Sequence, residues 1–100
     1  VEVNGLRMLG RGVAYTLRSR ALDSVRADLS RAFKPWLTGQ DREGFRPHVT
    51  VQNKVSSAEA KGLHAHLLAG FAPFDVRAEG IQLWHYRGGP WSPAGAIAFA

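Results

Sequence analysis

Four polar side chains recur at every second position in the run Arg46-Pro47-His48-Val49-Thr50-Val51-Gln52-Asn53-Lys54-Val55. Successive side chains of a β-strand point to opposite faces. On a strand from about Arg46 to Lys54, His48, Thr50, Gln52 and Lys54 therefore share one face, and Val49, Val51, Asn53 and Val55 share the other. The second face is mostly β-branched and suits a core. The first offers an imidazole, a hydroxyl, an amide and an ammonium in a row. An imidazole can give or take a proton near neutral pH. A hydroxyl two residues on, roughly 6–7 Å along the strand, can hold a non-bridging phosphate oxygen beside the ring. The pattern suits phosphate chemistry, although H-x-T is short and His48 also fits a hydrogen-bonded structural histidine.

Composition narrows the setting. The chain has 100 residues, of which 45% are hydrophobic and 21% charged, which fits a single domain at 1–100 with a modest core. Its net charge of +5 favours anionic partners, with RNA or nucleotide phosphates foremost. The basic residues are spread out rather than clustered. Cysteine is absent, which excludes disulfides and thiolate metal sites and makes a reducing cytoplasm the expected location. No apolar run reaches membrane-spanning length, so no membrane partner is expected. The start at Val1 and the apolar end at Ala100 are expected of part of a larger protein.

The elements that must position these residues follow from the pattern. A strand with Gly5 as a bulge or bend precedes the turn Gly10-Arg11-Gly12. Val13, Tyr15 and Leu17 then alternate with Ala14, Thr16 and Arg18, which reads as the second strand of a hairpin. Ser19 can cap a helix whose stripe is Leu22, Val25, Leu29, Ala32 and Phe33. That stripe should lie on a sheet, with the helix ending before Pro35 and Trp36 and Leu37 tucked beneath its end. After the polar loop Gln40-Asp41-Arg42-Glu43 comes the His48 strand. Ser56 and Glu59 have capping-box spacing for a second helix with Ala60, Leu63, Leu67 and Phe71 inward, ended by Gly70 and Pro73. Phe74 to Ala78 and Ile81 to Tyr86 are β-rich. Trp91-Ser92-Pro93 reads as a linker before a last strand from Gly95. The expected order is β-β-α-β-α-β-β, an α+β fold with a small antiparallel or mixed sheet and both helices outside it.

Along the later strand Gln82, Trp84 and Tyr86 alternate with Ile81 and Leu83, and would face the His48 side, where aromatic rings can stack a base. Trp84 in a second core is the competing reading. Arg46, Lys54 and Arg87 could steer an anion or simply be solvated. His64 and His66 lack the i,i+4 spacing of metal ligands and read as helix-flank residues. His85 leans to the core side. Gly88-Gly89-Pro90 lacks Walker spacing and reads as a turn. No metal site and no cofactor is expected.

The run Arg46-Pro47-His48-Val49-Thr50-Val51, in this order of elements, resembles one H-x-T-x motif of the two-histidine phosphoesterases, which include 2′-5′ RNA ligases and RNA 2′,3′-cyclic phosphodiesterases. The likeness covers nearly the whole chain and corresponds to the C-terminal part of those proteins. It implies one lobe of a two-lobed, pseudo-symmetric fold, in which each lobe brings one H-x-T/S to a central cleft. His48 and Thr50 would be one histidine and its phosphate-binding partner, with Trp84, Tyr86, Gln52, Lys54 and Arg46 as substrate-binding candidates. It also implies acid–base chemistry with two imidazoles and no metal. No histidine precedes His48, however, and neither His64-Ala65-His66 nor His85-Tyr86-Arg87 is a second motif. The other half of the site would come from an N-terminal part outside these residues or, with less support, from a symmetric dimer. The alternative is a non-catalytic RNA- or nucleotide-binding module of the same fold.

Overall fold

The chain first reverses direction at a turn built from glycine. β1 (Glu2–Met8) and β2 (Val13–Arg18) pair antiparallel, from Glu2 opposite Arg18 to Met8 opposite Val13. Between them Gly10 takes a φ of 82°, a region that costs other residues strain. The Leu9 amide donates to the Gly12 carbonyl at 2.9 Å to close the turn. The register of the pair shifts between Val3 and Gly5, the irregularity that Gly5 suggests in the sequence. This computed structural model describes residues 1–39, 44–86 and 91–99. Residues 40–43, read above as a polar loop, and 87–90, which include Arg87 and the Gly88-Gly89-Pro90 turn, lie outside the described residues.

β3 (His48–Gln52) and the short β4 (Phe74–Asp75) complete a four-stranded antiparallel sheet in the order β3-β2-β1-β4. β3 is shorter than the Arg46-to-Lys54 reading, because Lys54 turns to a φ of 59° and leaves strand geometry. Past that point the Val55 amide donates to the Arg11 carbonyl at 3.1 Å, and Arg11 Nε donates back to the Val55 carbonyl at 3.0 Å. These two bonds tie the end of β3 to the hairpin turn.

The helices start where local chemistry sets them. In α1 (Arg20–Ala32) the Ser19 hydroxyl accepts from the Leu22 amide at 3.2 Å. In α2 (Ser57–Ala69) the Ser56 hydroxyl accepts from the Glu59 amide at 3.1 Å. The Glu59 carboxylate accepts a hydrogen bond from the Ser56 hydroxyl at 3.2 Å rather than reaching the cap amide.

α2 lies against β1 and β2 and buries Ala60. Beyond its end the rings of Tyr15, Phe71 and Phe74 meet with centroids 6.1–6.4 Å apart. Such ring pairs add about 0.5–1.5 kcal/mol each beyond area burial. With Val3 and Val13, which are buried, they define the core; Ala14 is buried on the other face of the sheet.

Four expectations need correction. No residue of α1 is buried; Leu22 and Val25 instead line an open apolar groove with Val1, Val76 and Phe99. Trp36 is 73% exposed and touches only the edge of the Phe33 ring among the aromatic contacts described, because the chain after Phe33 makes a single 3-10 turn (Lys34–Trp36) instead of folding under the helix. His85 is exposed. Trp91, Ser92 and Pro93 are not a linker but open β6 (Trp91–Ala98), which pairs with β5 (Gly80–Tyr86) as a separate two-stranded sheet. Proline is tolerated there because β6 has a free edge in that sheet.

The α+β layout of two helices and a small antiparallel sheet stands as the sequence suggests. Its surface is open. The accessible area is 7760 Å², against about 5,600 Å² for a folded monomer of this mass. The radius of gyration is 15.5 Å, against about 13 Å for 100 residues. Among the described residues no helix is long and apolar enough to cross a membrane.

Two glycines give opposite, checkable outcomes. A Cβ at Gly12 would lie 2.0 Å from the Gln52 carbonyl oxygen, so β3 must shift to admit it. Gly12→Ala is expected to cost about 1–3 kcal/mol, lowering the melting temperature by roughly 4–8 °C per kcal/mol. A Cβ at Gly62, inside α2, meets nothing within 4 Å, so Gly62→Ala is expected to gain about 0.5–1 kcal/mol from helix propensity. Thermal unfolding followed by circular dichroism checks both, and equal midpoints for the two variants would contradict the packing described.

Candidate active site

His48 owes its orientation to the residues before it. Proline fixes its own φ and drives the preceding residue to an extended conformation. Pro47 thus holds the Arg46 backbone away from helical geometry, while the Leu17 amide donates to the Pro47 carbonyl at 3.0 Å. In this setting Nδ1 of His48 lies 2.9 Å from the Arg46 carbonyl oxygen. A carbonyl can only accept, so Nδ1 carries the hydrogen and donates it. In the neutral ring Nε2 is then left as the acceptor. The side chain is exposed, so that Nε2 lone pair is open to a substrate.

Cross-strand register builds the surroundings. Residues directly opposite one another share a face. His48 lies opposite Thr16, and Thr16 opposite Gly5. One row on, Thr50 lies opposite Ala14, and Ala14 opposite Arg7. This face therefore carries His48, Thr50, Thr16 and Arg7, with the small residues Gly5 and Ala14 between them. The Thr16 hydroxyl donates to Asn4 Oδ1 at 2.6 Å. Thr50 is exposed and has no hydrogen-bond partner among the described residues.

A concavity of about 360 Å³ opens beside His48. Arg7, Arg18, Arg46, Thr16 and Asn4 line it, with Asp23 and Phe45 on its α1 side. Arg18 is engaged with Glu2 at 2.6 Å, an exposed pair of small energetic weight. The concavity has more positive than negative side chains. Among the described residues no group of three or more His, Asp or Glu side chains is placed to hold a metal ion.

The residues singled out in the sequence divide accordingly. The structure places His48 and Arg46 on the concavity, with Thr50 on the face of His48 but outside the lining. Gln52 leaves that face: the β2–β3 register shifts between Val13 and Ala14, so that Gln52 pairs with Val13 while Thr50 pairs with Ala14. Val51 is the extra residue of this bulge, and Gln52 turns to the core face shared by Val13, Tyr15 and Val49. Its Oε1 is buried there and accepts no hydrogen bond among the described groups. Lys54 follows the strand in a left-handed conformation and does not line the concavity. Trp84 sits on the separate β5–β6 hairpin, 48% exposed, and does not line it either. Tyr86 ends β5 opposite Trp91, and the position of its side chain lies outside what is described.

Sequence reasoning missed Arg7, Thr16 and Asn4. The alternation along β2 already put Thr16 on the face opposite Tyr15. What it lacked was the pairing that sets β2 between β1 and β3.

No curated protein and no solved structure matches this chain significantly. The 2′-5′ RNA ligase superfamily does match, over residues 1–90, a span that takes in both helices, the four-stranded sheet, β5 and the His48–Thr50 strand. The chain belongs to the 2′-5′ RNA ligase superfamily.

Proposed function

We propose that this chain carries half of the active site of an RNA or nucleotide phosphoesterase, acting on 2′,3′-cyclic phosphates or 2′-5′ linkages. The observation that carries the reading is the His48 Nδ1–Arg46 carbonyl bond, which leaves Nε2 as a proton acceptor on the face that also presents Thr50. In hydrolysis of a cyclic phosphate, one imidazole takes a proton from water as its oxygen bonds to phosphorus. The bond from phosphorus to one ribose oxygen breaks, and that oxygen takes a proton from a second acid. His48 fills one of these two roles. Thr50 donates its hydroxyl hydrogen to a phosphoryl oxygen. The net charge of +5 supports a polyanionic substrate, and the reaction as written uses no metal.

The second imidazole comes from another H-x-T/S motif outside these residues or, with less support, from a second copy of the chain. The accessible surface of 7760 Å², well above the monomer expectation, supports a lobe that packs against further protein.

The assay is turnover of a 2′,3′-cyclic nucleotide by the full-length protein, comparing His48→Ala and Thr50→Ala. Loss of a general acid or base costs about 10²–10⁴-fold, so His48→Ala should fall by that factor. Thr50→Ala should fall less, with Thr50→Ser retaining most of the rate. Unchanged turnover in His48→Ala would remove the assignment. Retained nucleotide binding with no turnover in the wild type would favour the non-catalytic binding module.

A further inference from the structure

We infer that Arg7 is an oxyanion ligand of the His48 site, reaching from β1 to the phosphoryl group that His48 and Thr50 address. The inference rests on the phosphoesterase reading above and adds to it a residue on a different strand. Three observations carry it.

The first is register. Arg7, Ala14 and Thr50 form one row across three strands, so Arg7 and Thr50 stand two strand spacings apart, about 10 Å between backbones. Between them Ala14 is fully buried, so neighbouring side chains close over it. A tetrahedral anion held in the hollow beside His48 would meet Arg7, which lines that hollow, with Thr50 one row along on the same face.

The second is the shared concavity. Arg7 and His48 line the same hollow, together with Thr16, so one ligand can contact both.

The third is charge. Arg7 is half-buried, whereas Arg18 and Arg46 on the same hollow are exposed. A guanidinium stays charged at any physiological pH and binds a carboxylate or phosphate through its paired N–H donors. Among the described residues the Arg7 side chain makes no ion pair and no hydrogen bond. Glu2, on the same face, is committed to Arg18, and Asp23, a carboxylate in the lining of the hollow, forms no ion pair with Arg7. An anionic ligand supplies the missing partner, and the planar fork of arginine matches two phosphoryl oxygens at once.

In phosphoryl transfer negative charge sits on the equatorial oxygens while bonds form and break along the axis. A cation addressing those oxygens strengthens its hold on the phosphoryl group without competing with the proton carriers. Arg7 is suited to this part because it stands on an inner strand of the sheet, whereas Arg46 precedes the edge strand.

The test uses Arg7→Lys, Arg7→Met and Arg7→Gln in the full-length protein, with melting temperatures to establish that each variant is folded. Inorganic phosphate is titrated by NMR, following the amides of His48 and Thr50. For an oxyanion ligand, Arg7→Met and Arg7→Gln should weaken phosphate binding by about tenfold or more, and Arg7→Lys should restore part of it. With a 2′,3′-cyclic nucleotide, kcat should fall by about 10²–10³-fold in Arg7→Gln, more than KM rises. A role in packing over Ala14 predicts the reverse order, with Arg7→Met the best substitute and phosphate binding unchanged, and that result overturns the inference. The phosphate titration needs no turnover, so it decides the role of Arg7 even if His48→Ala proves fully active and the phosphoesterase reading falls.

Discussion

β3 carries the histidine, yet it is an edge strand of its sheet, held on one side only by β2. Everything the site offers depends on how those two strands meet. Gly12 lets the Gln52 carbonyl approach to a distance that no side chain would permit. The bulge at Val51 absorbs one residue, so that Thr50 stays on the face of His48 while Gln52 rotates to the core. A one-residue slip would exchange the two faces of a strand, and the imidazole would then point at Tyr15 and α2. The buried Gln52 amide oxygen without a partner is an energetic cost of turning the strand there.

The parts of this design that were legible in the sequence are those settled within a few residues. Ser19 and Ser56 cap their helices because each hydroxyl needs only the amide three residues on. The Gly10–Gly12 turn announces its hairpin because a left-handed residue is needed there. The alternation of His48 and Thr50 reads correctly because it spans a regular stretch of strand. Gln52 and Lys54 failed for the complementary reason. The bulge and the left-handed turn are dictated by the partner strand and by Arg11, more than forty residues away in sequence. Trp84 failed likewise: its alternation is real, but β5 pairs with β6 instead of joining the sheet of β3. Arg7 could not be found without knowing that β2 lies between β1 and β3, since its row with Thr50 is a product of topology.

The unpacked surfaces follow a consistent pattern. α2 covers β1 and β2 but not the edge strand, so Val49 and Val51 are 50% and 45% exposed. α1 presents Leu29 and Phe33 to solvent, and the β5–β6 hairpin presents Leu83, Trp91 and Ile97. Each of these elements has an apolar side that the pattern of its residues would place inward. An unpaired strand edge beside exposed valines invites pairing with another strand, and the surplus area exceeds the roughly 800 Å² that one partner buries in a specific protein–protein interface.

The chemistry proposed for the site leads to the same place from another direction. In an in-line displacement at phosphorus, the attacking and leaving oxygens lie on opposite sides of the phosphorus atom. A single imidazole anchored through Nδ1 to the Arg46 carbonyl has one nitrogen to offer and faces one of those oxygens. The strand beneath it cannot bring that ring to the other side. On that proposal a phosphate held beside His48, within reach of Arg7, has its far apex directed away from this sheet. On the proposed chemistry the second proton carrier approaches from there, the open side of the His48 face. For the proposed chemistry, the tautomer set by the Arg46 carbonyl, the donors on the His48 face and the uncovered surface place one requirement on whatever completes the site: it lies over the sheet, opposite His48, and carries a group that can exchange a proton.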